Sequence, residues 1–192
     1  MPTKRPEVLD FLRTRRSRPA KTLTSPAPDR ETLLPILQAA ARSPDHGMLE
    51  PWRFLVLSGD ALPRLATAAH ARSTELGEPI EKCEKCAAMF ANAPLMVAVV
   101  CTLQASPKVP EKEQILSAGA VCLSLLNAAL ASGWGANWLS GQMAFDPQFL
   151  SGELGLGSNE FVAGFMVIGT ETIAPAERPR PDIDAKTAWI TE

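Results

Sequence analysis

The chain has 192 residues, with 19 Lys and Arg against 21 Asp and Glu and a formal net charge of −2. That length gives one domain room for a substantial core, and the near-neutral balance excludes a nucleic-acid footprint spread over the whole surface. With 46% hydrophobic and 21% charged residues, the composition is globular rather than disordered.

Positive charge is concentrated at the start, where Lys4, Arg5, Arg13, Arg15, Arg16, Arg18 and Lys21 crowd together. Such a run is either a solvated arm or an anion site, most simply for a phosphate. The polar N-terminus lacks the apolar stretch of a secretory signal. Val8, Leu9, Phe11 and Leu12 predict a short amphipathic helix over Glu7–Arg15. After a proline-bearing loop, Asp29 is suited to cap a helix whose apolar residues recur from Leu33 to Ala41. That helix is expected to reach Arg42 and Ser43 before Pro44 stops it. The turn-rich passage Ser43–Phe54 holds His46, which by default is a surface residue. Phe54–Leu57 reads as a strand, Asp60–Ala71 as a helix, and Pro79–Ala91 as a charged helix.

Cys83 and Cys86 form a lone CxxC in that charged helix. A structural zinc site needs two further ligands, and a thioredoxin-like pair belongs at a strand-to-helix turn. No metal site is therefore expected. Cys101 and Cys122 lie in apolar runs, and four cysteines fit a reducing cytoplasm. Leu95–Cys101 is a continuous apolar run rich in valine, the pattern of a strand buried on both faces.

From Ile115 to Ala131 the chain is apolar on every side, so the helix it predicts must be buried. Its length approaches a membrane span, but Ser117, Ser124 and Asn127 interrupt it within a globular pattern, so no membrane is expected. Ser117 to Ala120 are small enough for another backbone to come close. Gly133 and Gly135 break the helix, and Ala136–Gly141 reads as a short strand. A short helix at Pro147–Leu154 and a last strand at Phe161–Gly169 follow. The tail from about 171 to 192, with Pro175, Pro179 and Pro181, is expected to run over a surface or along a partner chain. About four strands among six or more helices predict a single domain over 1–192, with a central sheet covered by helices. None of the familiar catalytic motifs is present: no GxGxxG after a strand, GxxxxGK, GxSxG or HExxH.

Several blocks in order resemble one known family. They are Arg15-Arg16-Ser17 after the first helix, Ser43-Pro44-Asp45-His46 with Glu50-Pro51-Trp52-Arg53-Phe54, and Lys108-Val109-Pro110 with Glu113-Gln114. Ser117-Ala118-Gly119, Trp138-Leu139-Ser140-Gly141 and Gly164-Phe165 through Gly169-Thr170 complete the series. Together they resemble the nitroreductase family of FMN flavoproteins, in its short bacterial branch. The resemblance implies an α+β fold and a homodimer whose long central helices form the interface, with FMN shared between the subunits.

Carried over position by position, Arg15, Arg16 and Ser17 would bind FMN, the guanidinium fork and hydroxyl suiting its phosphate. Arg42 and His46 would reach the flavin of the other subunit. Trp138, Leu139, Ser140 and Gly141 would lie along the ring, with a backbone N–H near Ser140 or Gly141 facing N5. Arg18 or Lys21 would supply the cation beside N1 and C2=O; the loop after Ser17 departs from the family in length and leaves both open. Ala128, Ala129, Leu130, Ala131, Ser132 and Gly133 match a stretch associated with the nicotinamide nucleotide. The implied activity passes hydride from NADH or NADPH through the flavin to nitroaromatic, quinone or similar conjugated acceptors, with no catalytic side chain required. A non-catalytic flavin-binding protein on the same scaffold is the alternative, and a thiol or metal protein using Cys83 and Cys86 the third. The physiological acceptor and the preferred nucleotide stay open.

Overall fold

The valine-rich run becomes the axis of the molecule. The computed structural model describes residues 1–192 and makes this run strand β3 (Met96–Thr102). It lies between β2 (Trp52–Leu57) and β5 (Glu160–Glu171), antiparallel to both, with Trp52 opposite Cys101 and Ala98 opposite Phe165. β4 (Gly135–Leu139) pairs with β5 from Gly135–Gly169 to Leu139–Phe165. The two-residue β1 (Leu23–Thr24) joins the end of β5 at Leu23–Glu171. The sheet is antiparallel throughout.

Because successive residues of a strand face opposite ways, β3 feeds two cores. Met96, Ala98 and Val100 enter one with side chains of α3 (Ala61–Glu75), α4 (Ile80–Ala91) and α6 (Pro147–Leu154). Val97 and Val99 enter the other with α2 (Arg30–Ala40) and α5 (Glu111–Ala131). The result is an α+β fold with helices on both faces of the sheet. α1 (Pro6–Thr14) lies outside it, with no fully buried residue.

Two aspartates cap helices, Asp29 as the sequence predicts and Asp146 in addition. Asp29 Oδ1 accepts from the Thr32 N–H at 2.9 Å to open α2, and Asp146 Oδ1 accepts from the Phe149 N–H at 2.7 Å to open α6. The Asp146 carboxylate is also gripped by Arg72 at 2.9–3.1 Å, which fastens α3 to α6.

Four expectations are corrected. α2 ends at Ala40 rather than Arg42 or Ser43; the Ser43 hydroxyl donates to the Ala40 carbonyl at 2.9 Å and caps the helix early. α3 continues to Glu75, four residues beyond Ala71, and its last turn carries Arg72 to Asp146. There are five strands rather than four, β1 being too short to show a period. The fourth concerns α5. It has the length and mean hydropathy (1.7) of a membrane span, yet it lies on α2 and the sheet with only one face covered. Ala118, Val121, Cys122 and Leu125 are fully buried, whereas Ile115, Leu116 and Leu123 are 42%, 66% and 46% exposed. Burial on every side is not what this chain achieves by itself. Past Glu171 the tail runs exposed, with a single turn at Asp184–Lys186 and with Trp189 and Ile190 open to solvent.

Candidate cofactor site

The loop leaving α1 is seamed onto β4. The Arg18 N–H donates to the Ala136 carbonyl at 2.8 Å, and Asn137 Nδ2 donates to the Arg18 carbonyl at 2.5 Å. On this seam sits a cavity of about 370 Å³ lined by Arg15, Arg16, Ser17 and Asn137, together with Arg178 and Arg180 from the tail. The sequence blocks bring the first three together; the tail arginines were not foreseen. Arg15 Nη1 is buried with no acceptor in the chain. Its burial, then the charges of Arg180 and Arg16, pull its pKa below the ordinary arginine value. Glu177 meets Arg16 at 3.3 Å and Arg180 at 3.1 Å, and Arg16 also donates to the Ala176 carbonyl. One exposed carboxylate does not balance this cluster. An incoming anion would satisfy the orphaned donor and relieve the mutual repulsion.

A second cavity, of about 750 Å³, lies further along the same strand edge. Lys21, Leu139, Ser140, Gly141 and Gln142 line one side, and α4 lines the other with Lys82, Lys85, Cys86 and Met89. Gly141 has φ 157° and ψ −173°, a backbone region essentially restricted to glycine. Neither the Ser140 nor the Gly141 N–H donates a hydrogen bond within the chain. From Asn137 to Ser140 the strand advances roughly 10 Å. A cation-lined cavity and a wider, mixed one are therefore joined by a single strand edge. That shape suits an elongated ligand with an anionic end and a flat polar end.

The two candidate cations differ in their surroundings. Arg18 forms a close ion pair with Glu171, Nε to Oε2 at 2.5 Å, and its stem lies against Gly135. Lys21 makes no such pair and lines the larger cavity. Trp138 lines neither cavity with its side chain. The indole crosses to the α5 face and donates from Nε1 to the Ala163 carbonyl at 3.3 Å. It lies so close to Gly164 that a Cβ there would fall 2.2 Å from Nε1.

Arg42 and His46 border neither cavity. Arg42 is exposed, and His46 Nδ1 lies 2.7 Å from Glu113 Oε2 near the start of α5. Of the six residues from Ala128 to Gly133, Leu130 and Gly133 line a space of about 310 Å³ beside Phe11, Arg15 and Arg18. Ala129 is fully buried, and Ala131 and Ser132 are exposed. Cys86 borders the large cavity, but burial pushes its thiol pKa up and disfavours the reactive thiolate. Cys83 is buried and donates to the Glu78 carbonyl at 3.4 Å. No three His, Cys, Asp or Glu side chains converge on a metal-binding point.

Known proteins resemble this chain in sequence and in fold. The family model described as "Nitroreductase family" matches residues 12–170. The Escherichia coli K12 protein "Putative NAD(P)H nitroreductase YdjA" is 33% identical over 164 residues, 85% of this chain and 88% of its own. A Haemophilus influenzae protein named "Putative NAD(P)H nitroreductase" is 36% identical over 181 residues, 94% and 96% of the two chains. Among solved structures, a "putative nitroreductase in complex with fmn" from Desulfovibrio desulfuricans superposes with a TM-score of 0.74 at 23% identity. It covers 99% of this chain and 100% of that one.

Proposed function

Since the chain belongs to the nitroreductase family, we propose that it is an FMN-dependent NAD(P)H oxidoreductase acting on nitroaromatic, quinone or similar conjugated acceptors. The observation that carries this reading is the buried, unpartnered Arg15 Nη1 in a cluster of arginines, one strand edge away from a cavity with two free N–H groups. Bound FMN would supply the redox chemistry, carrying hydride from NADH or NADPH to the acceptor.

The chain's own task is to hold, orient and shield. Arg15, Ser17, Arg178 and Arg180 would hold the phosphate, while Arg16 is partly engaged by the tail. Lys21, which lines the larger cavity, would be the cation that favours an anionic reduced ring, rather than Arg18. The unpaired N–H groups of Ser140 and Gly141, with the Leu139 side chain beside them, would hold the ring. Leu130 and Gly133 border the space through which the nicotinamide nucleotide approaches. The D. desulfuricans complex with FMN supports the choice of cofactor.

The active unit is a homodimer. Exposed Leu116 and Leu123, with half-buried Gly119 and Ala120 between them, make an apolar stripe on α5, with open space above Gly119. In a two-fold contact this patch meets itself, and close approach there buries what the monomer leaves exposed. Arg42 and His46 would then reach the second subunit's flavin, and the tail with Trp189 and Ile190 would lie on the partner. Four free thiols are consistent with the cytoplasm.

The test is anaerobic titration of FMN-loaded protein with NADH and NADPH, followed by reoxidation with nitro compounds and quinones. Bleaching by either nucleotide and recovery by an acceptor support the reading. A yellow protein that neither nucleotide bleaches would be a flavin-binding protein without this activity.

A further inference from the structure

The loop carrying Arg42 and His46 is fastened by one polar stripe of α5. Ser124 and Ser43 hydroxyls meet at 2.9 Å. The Ser117 hydroxyl donates to the Pro44 carbonyl at 2.7 Å and accepts from Trp52 Nε1 at 3.3 Å. One turn earlier, Glu113 Oε2 lies 2.7 Å from His46 Nδ1. Residues four and seven apart share a helix face, so 113, 117 and 124 form a single line of attachment.

The loop is also tied within itself. The Asp45 carboxylate accepts from the Leu49 and Glu50 N–H groups at 3.2 and 2.7 Å. Gly47, Met48 and Glu50 have φ of 77°, 50° and 47°. Left-handed conformations at Met48 and Glu50 cost energy and persist only where the surroundings over-determine them. A strained loop with this many ties is built to hold one geometry.

The Glu113–His46 pair contributes little to stability. The two side chains are 48% and 60% exposed, and exposed pairs of this kind are worth little. Its effect is orientation. An ionised carboxylate only accepts, so His46 Nδ1 carries the proton and donates. In a neutral ring this tautomer leaves Nε2, which makes no hydrogen bond within the chain, as the acceptor.

We propose that Glu113 is a positioning residue that locks His46 in its Nδ1–H tautomer and presents Nε2 as an acceptor to FMN bound in the second subunit. FMN offers matching donors in its N3–H and its ribityl hydroxyls. The proposal rests on the dimeric flavoenzyme reading above.

Two measurements test it. Nitrogen-15 NMR of the imidazoles reads the tautomer directly, with His46→Gln assigning the signals against His70. The wild type is expected to show Nδ1–H. Glu113→Gln should keep it, because the amide oxygen still accepts, and Glu113→Ala should lose it. Fluorescence titration with FMN should then give a dissociation constant raised about three- to tenfold in Glu113→Ala, with most of the affinity retained in Glu113→Gln. Identical tautomers in all three proteins overturn the proposal, as does wild-type affinity in Glu113→Ala. If the wild type binds no FMN, the flavoenzyme reading fails and takes this proposal with it; wild-type binding with an indifferent Glu113→Ala removes the proposal alone.

Discussion

Arg53 and Arg15 carry the same guanidinium in opposite circumstances. Arg53 meets Glu160 through two parallel bonds of 2.7 and 2.9 Å, and Thr102 and the Gly157 N–H complete the carboxylate at 2.9 and 3.0 Å. Every charge there is answered from within the chain. Arg15 has a buried donor with no acceptor and two further arginines acting on its charge. A satisfied guanidinium ties strands β2 and β5 together, whereas an unsatisfied one marks the place where the chain needs something else. Arginine alone signals neither; its partners decide.

The largest expected effect breaks the satisfied pair. Glu160→Ala strands Arg53 without its carboxylate and should cost about 3 kcal/mol of stability by urea unfolding, with FMN affinity unchanged. Next comes the unsatisfied partner. Arg15→Ala should weaken FMN binding by about 1.5–3 kcal/mol, the range for a charged hydrogen bond, while leaving urea stability unchanged. Equal losses of stability in both variants would erase the distinction.

Acid sharpens the same contrast. The Arg53 guanidinium, with the Gly157 and Thr102 donors, brings the Glu160 pKa from 4.5 down to about 2, and Arg72 lowers Asp146 in the same direction. Between those values the unfolded chain binds more protons than the folded one, so stability rises with pH. The contribution of Glu160 is full above about pH 4.5 and fades as the pH falls toward 2. Unfolding curves across that window should show a flatter slope for Glu160→Gln than for the wild type. The smallest effect is expected at the thiols: replacing Cys83 and Cys86 together with Ser should leave anaerobic flavin reduction intact. A protein that no longer reduces its flavin would give the CxxC a role that its raised Cys86 pKa argues against.

Much of the fold is legible in the residues. The run from Leu95 to Cys101 announces a strand with two buried faces, and β3 supplies both cores. Arg15 to Ser17 stand together in sequence and line one cavity. The site's other half is not legible, because it depends on approach through space. Arg178 and Arg180 lie in a tail without periodicity, and only their spacing around Pro179 sets them apart. Arg18 and Lys21 look interchangeable until Glu171, far along the chain, claims one of them. The apolar circumference of α5 predicts burial on all sides, but this chain covers only one.

The central claim is that the arginine cluster is an anion site for a phosphate. Riboflavin and FMN differ only in that group, so parallel fluorescence titrations with the two flavins isolate it. FMN is expected to bind at least tenfold more tightly in the wild type, with most of that advantage lost in Arg15→Ala. Equal affinity for the two flavins would contradict the claim.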